Sequence, residues 1–257
     1  MDRRTFLRRA GLATGGAAVG LGGGLAHEWE RIHVEVAKSG HALGEHRPPG
    51  LTQTRLVYRA PGADPDAPRV ALTFDDGPST QYTERVLAAL SDADVRATFF
   101  QVGERVRRLP GLAREVADRH VVGNHTWSHA DLSLAQADQA RSQLQRTHDQ
   151  IAATIGTAPA LFRPPFGRFS GATAMIATSL GYPIVLWDTL FNVRKSASDN
   201  IESLAESAQD GTIILAHDGG PLHSDVVIEA LPELIARLRE RGFAFQTVPQ
   251  LLASAVV

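Results

Sequence analysis

The run "VALTFDDGPS" ends an apolar stretch, Val70 to Phe74, on two adjacent carboxylates, Asp75 and Asp76, and a Gly-Pro turn. Neighbouring like charges at the end of a buried strand are costly, because desolvation and mutual repulsion both oppose ionisation. A metal ion or a catalytic task would compensate that cost. The plainer alternative is that Asp-Gly marks a turn and Asp76 helps to start the next helix. Further on, "HTWSH" spaces His125 and His129 four apart. In a helical turn both rings would project from one side, close enough to share a metal. With Asp76 they would form a set of two imidazoles and one carboxylate with positions left open for water and substrate, as catalytic zinc requires. Successive strand residues point to opposite faces, which leaves Asp75 free to act as a base.

Two more segments end on reactive side chains. In "LFRPPFG", the stiff Pro164-Pro165 pair follows Arg163, and a fixed guanidinium near a carboxylate keeps it ionised and oriented. In "GTIILAHDGG", an apolar strand runs into His217, a residue suited to donating a proton near neutral pH. A surface arginine before a turn and a satisfied core histidine are the plainer alternatives.

These residues need elements to carry them. From Arg69 onward short β-rich runs alternate with helical ones: Val70–Phe74, Ala97–Val102, His120–Val122, Ala160–Arg163, Ile184–Trp187, Thr212–Ala216 and Phe243–Gln246 are the strand candidates. A helix is predicted from Ser133, where Ser133 and Gln136 make a capping box, with a stripe at Ala137, Ala140, Leu144, Ile151 and Ile155 and a stop at Gly156. A second spans about Val226 to Arg241, apolar at Val227, Leu231, Leu234, Ile235 and Leu238, with Pro232 as a candidate kink. Repeated alternation implies a parallel sheet, doubly wound or closed into a barrel. In that architecture Asp75, Asp76, His125, His129, Arg163, Asp188 and His217 all fall at carboxyl ends of strands, the edge where sites are built.

Composition narrows the partners. At 257 residues and 43% hydrophobic, the chain suits one large domain. Residues 1–26 begin "MDRRTFLRR" and continue with a weakly apolar run rich in Gly and Ala. They are expected to be an export signal of the twin-arginine type, the alternatives being an uncleaved anchor or a basic tail. Residues 27–68 are expected to be a linker or irregular arm, and 69–257 the one regular domain. Beyond residue 26, 22 Lys and Arg stand against 27 Asp and Glu, a formal charge of −5. That balance speaks against nucleic acid or an anionic membrane as partner. The sequence has no cysteine, so the core alone must stabilise the fold.

"TFDDGP", "HTWSH", "RPPFG" and "LAHD", in that order and at these separations, resemble the signature motifs of the polysaccharide deacetylase family, carbohydrate esterase family 4, whose domain is also called the NodB homology domain. The resemblance covers roughly Arg69 to Leu252. It implies a distorted (β/α) barrel with about seven parallel strands. It also implies a divalent metal, zinc or alternatively cobalt, on Asp76, His125 and His129. Asp75 would be the general base, Arg163 its tether and His217 the general acid. Leu215, Phe166 and Trp187 would contact substrate, Leu215 at the acetyl methyl and Phe166 through its backbone N–H at the oxyanion. The implied protein is a secreted or cell-wall-associated monomer that removes N-acetyl groups from peptidoglycan or a chitin-like polymer. An O-acetyl esterase of the acetylxylan type and a catalytically silent wall-binding module are the alternatives. One segment departs from the family pattern: where an Asp-Trp pair is usual, "LWDTLFNVRK" has Phe191 and Asn192. Asp188 is the nearest substitute for the missing aspartate and is expected to support His217, with Asn192 as its competitor.

Overall fold

Arg69–Asp75 (β2) is buried along its whole length, which a strand achieves only at the centre of a sheet covered on both faces. The computed structural model describes residues 53–62, 66–220 and 225–255. The expected export signal lies outside the described residues. Parallel partners flank β2: Thr98–Gln101 (β3) and then Val121–Asn124 (β4) on one side, Thr212–His217 (β7) and then Thr189–Leu190 (β6) on the other. Ala244–Phe245 (β8) pairs with the start of β2. A separate parallel pair joins Leu56–Val57 (β1) to Ile184–Val185 (β5).

Single bridges curve these pieces toward a ring. Phe162 bridges Asn124 on one side and Ile184 on the other, and Arg59 bridges Thr212. The result is a distorted (β/α) barrel. The run Ala160–Arg163 is therefore not the regular strand that the sequence predicts. Pro159 upstream and Pro164-Pro165 downstream cannot donate to a ladder, which limits pairing to Phe162.

Residues 53–62 pack with the compact unit, since β1 lies on β5 and the Ala60 N–H donates to Gly211 O. Asp210 accepts the backbone N–H groups of both Gly62 and Arg69, so residues 54–62 are an arm held against the barrel.

Among the described residues, seven helices and a terminal turn of helix cover the outside: Thr83–Asp92 (α1), Gly103–Arg108 (α2), Pro110–Arg119 (α3), Ala137–Ile155 (α4), Gly171–Ser179 (α5), Ala197–Ser207 (α6), Asp225–Glu240 (α7) and Val248–Ala253 (α8). The α4 capping box is made by Gln136 and Gln139 and not by Ser133, whose N–H is taken by the Asp131 carboxylate. The helix so begins one turn later than its sequence signal. On α7, Val227, Leu231, Leu234, Ile235 and Leu238 are all buried. Strand alternation sorts two cores. Leu72, Phe74, Phe99, Ile214 and Ala216 face the helices, while Ala71, Phe100, Val185 and Ile213 pack within the barrel.

Candidate active site

Asp75 is the last residue of β2, paired with Phe100 of β3 and His217 of β7. It follows Ala71 and Thr73 on the barrel's inner face. Strict alternation would send Asp76 outward, but its φ of 73° ends the extended run in the left-handed region, a conformation costing about 1 kcal/mol for a residue with a side chain. Both carboxylates consequently turn toward one imidazole. His125 Nε2 lies 3.8 Å from Asp75 Oδ2 and 3.3 Å from Asp76 Oδ1. The expectation that adjacent aspartates must face apart is thereby corrected, and the left-handed step is the reason.

His129 Nε2 is 2.9 Å from the same Asp76 oxygen. Nevertheless, Asp76 Oδ1 is buried without a hydrogen bond: the ring nitrogens approach it without the alignment an N–H donor needs. One ligand atom each from Asp76, His125 and His129 lies within 4.8 Å of the others. That is the donor chemistry of a catalytic divalent-metal site. His125 donates from Nδ1 to the Arg163 carbonyl at 2.7 Å, which leaves Nε2 with its lone pair toward the cluster, as a ligating histidine needs. Gly220, at φ 69°, leaves room for the cluster: a Cβ there would stand 2.1 Å from Asp76 Oδ2.

Electrostatics follow the same geometry. Burial, the largest single influence, would raise the Asp76 carboxyl, but the two histidines together outweigh it and hold it well below the usual carboxylate range. Burial likewise lowers His125, and Asp75 and Asp76 reverse that, so its net shift is upward. His217 moves down: burial dominates, Asp75 and Asp76 oppose it, and His125 and Arg163 add to it.

Arg163 is fully buried and has four acceptors. Its Nη1 donates to Asp75 Oδ1 and Thr73 Oγ1, each at 2.8 Å, its Nε to Val185 O at 3.1 Å, and its Nη2 to Leu186 O at 2.9 Å. Thr73 in turn donates to Ile214 O. A guanidinium held this way fixes the carboxylate it meets. Burial pulls Arg163 below its ordinary value against the pull of Asp75.

The expected substrate contacts fall into different settings. Leu215 is buried on β7. Phe166, at φ 59°, is 56% exposed and meets His129 edge-on, with ring centroids 4.8 Å apart. Among the described residues nothing accepts its backbone N–H. Half-buried Trp187 lies 5.7 Å from the Arg163 guanidinium.

Asp188 is not where its expected role requires it. Its Oδ2 accepts from Thr212 Oγ1 at 3.0 Å. Thr212 opens β7 and His217 closes it, about 16 Å away at ~3.3 Å per strand residue. Asn192 fails too, because its amide oxygen accepts from Arg194 N and its carbonyl from Asn200 Nδ2. Among the described residues no hydrogen bond reaches the His217 ring.

The comparisons with known proteins meet this geometry. Residues 62–185 match the sequence profile described as Polysaccharide deacetylase. A peptidoglycan-N-acetylglucosamine deacetylase of Bacillus cereus is 36% identical over 188 residues, which cover 71% of this chain and 87% of the relative. The chain belongs to the polysaccharide deacetylase family. Among solved structures, the Bc1960 peptidoglycan N-acetylglucosamine deacetylase superposes on this family member with a TM-score of 0.73 at 30% identity, covering 78% of this chain and 94% of that one. BA3943 of Bacillus anthracis, described as a CE4 family pseudoenzyme, gives a TM-score of 0.71 at 26% identity, with 80% and 72% covered. Family membership thus fixes the fold, while activity depends on individual residues.

Sequence reasoning gave no role to Thr73, although it opens "TFDDGP" and links Arg163 to the neighbouring strand, or to Asn124, whose side chain accepts the Thr126 N–H at 2.9 Å. A buried polar residue at a strand end, as in "GNHTWSH", is the one available signal for Asn124. Among the described residues, no helix is long and apolar enough to cross a membrane.

Proposed function

We propose that this polysaccharide deacetylase is an exported, metal-dependent enzyme that hydrolyses N-acetyl groups of a polymer containing N-acetylglucosamine. The observation that carries the reading is the convergence of Asp76, His125 and His129 beside a carboxylate held by a buried arginine. Asp76, His125 and His129 would hold a divalent cation, zinc or alternatively cobalt. Such a cation supplies Lewis acidity toward the acetamide carbonyl and a lowered pKa for bound water.

The remaining steps belong to the chain. Asp75, oriented by Arg163, takes a proton as water attacks the carbonyl carbon. The Phe166 N–H donates to the oxygen on which negative charge develops. His217 gives a proton to the departing nitrogen, so that acetate and a free amine leave. Leu215 and Trp187 wall the pocket around the acetyl group. Peptidoglycan is the favoured substrate because the B. cereus relative bears that activity in its name. The expected product is released outside the cytoplasm by a monomer bearing a twin-arginine signal.

The test measures acetate released from peptidoglycan, chito-oligomers and acetylxylan, before and after chelation and zinc restoration. Asp75→Asn is expected to keep its zinc and to lower kcat by roughly 10²–10⁴, the usual worth of a general base. Full turnover in verified metal-free protein overturns the metal reading. Release from acetylxylan alone overturns the N-acetyl reading in favour of O-deacetylation.

A further inference from the structure

The loop carrying both histidines is held from outside its own motif. Thr126 and His129 lie in the left-handed region, at φ 65° and 57°, so the loop needs compensating contacts to stay in this shape. Its backbone N–H groups find them in succession. His125 donates to Gln101 O at 3.0 Å and Thr126 to Asn124 Oδ1 at 2.9 Å. Trp127 and Ser128 both donate to one atom, Gln143 Oε1 of helix α4, at 2.9 and 3.1 Å. Gln143 Nε2 then donates to Ser128 Oγ at 3.1 Å. One turn along α4, the Arg146 guanidinium covers the Trp127 ring at 4.1 Å. A single amide therefore secures the two residues between Thr126 and His129.

We infer that Gln143 is a positioning residue for the metal site: its Oε1 sets where His129 stands relative to His125 and Asp76. This inference rests on the reading of those three residues as metal ligands. The part that matters is an acceptor of the right length, since the groups it serves are two N–H donors. Gln143→Glu keeps that acceptor, while Gln143→Met keeps the volume and removes it. Outer contacts of this kind are worth about 10–100-fold in metal affinity.

Zinc binding to the full chain is measured by competition with a chromophoric chelator. Gln143→Met is expected to weaken zinc about 10–100-fold while the zinc-free protein stays folded with a lowered melting temperature, and Gln143→Glu to stay within a few-fold of wild type. Equal affinity in wild type and Gln143→Met overturns the inference while leaving the metal site intact. Equal losses in Met and Glu variants overturn it as well, because Oε1 would then not be the operative atom. A wild type that takes up no zinc overturns the metal reading itself, and this inference with it. Hydrogen exchange on unmutated protein gives an arm independent of folding defects. Slow exchange at Trp127 and Ser128 is expected, and rates like those of open loop amides overturn the clamp.

Discussion

At Asp188 the residue scale separates chemical plausibility from reach. Its carboxylate sits one position beyond Trp187 and could in principle raise the pKa of a histidine, but it is bonded to Thr212 at the opposite end of β7 from His217. The shifts at His217 come from burial first and then from Asp75, Asp76, His125 and Arg163. Asp188→Asn is therefore expected to leave the alkaline limb of the kcat/KM profile, where protonated His217 is lost, in place within experimental error. A limb that moves to lower pH would mean that Asp188 reaches the imidazole after all. The six residues Asp75, Asp76, His125, His129, Arg163 and His217 were legible because each lies in a short motif at the end of an apolar run. Gln143 was not, because a glutamine on an amphipathic helix looks the same whether it faces water or a loop.

Elements succeed or fail here by burial and by who can donate a hydrogen bond. In β2, inner residues carry the site and outer ones anchor the strand beneath the helices. Phe74 is wholly buried and stacks on Phe99, with centroids 4.9 Å apart and planes 22° from parallel. Phe74→Ala is expected to destabilise the fold by about 3–5 kcal/mol, read as a lowered urea midpoint with little change in m-value. A loss under about 1 kcal/mol would show that neighbouring side chains refill the space. Periodicity identified β2, β7 and α7 because long buried or amphipathic runs carry a strong signal. It overread Ala160–Arg163, where prolines on both sides confine pairing to Phe162, and it placed the α4 capping box one turn early, because Asp131 captures the Ser133 N–H.

At the scale of the whole fold, burial reaches one carboxyl among the described residues that the proposed mechanism does not use. Asp218 follows His217 but faces outward, fully buried, with Thr83 Oγ1 donating to its Oδ2 at 2.6 Å. Burial raises it from the ordinary 3.8 to about 7, with Asp76 and Asp75 adding to the rise and Thr83 opposing it. Between these values the folded chain binds more protons than the unfolded one, so Asp218 makes stability fall as pH rises from about 4 to about 7. Above that window the loss is complete. Asp218→Asn is expected to remove this contribution in chelator-treated protein, narrowing the stability difference across that window. An unchanged pH dependence of the urea midpoint would show that Asp218 titrates normally. By itself the sequence determined the alternation of strands and helices, the residues at strand ends and, through four ordered motifs, the family. These follow from local chemistry, periodicity and turn residues, which act over a few positions. Only the tertiary structure decided that Asp75 and Asp76 share one imidazole, that residues 54–62 are held against the barrel, that Asp188 serves Thr212 and that Gln143 grips the histidine loop. Each depends on which distant segments meet, and backbone rotations at single residues such as Asp76 decide where their side chains arrive.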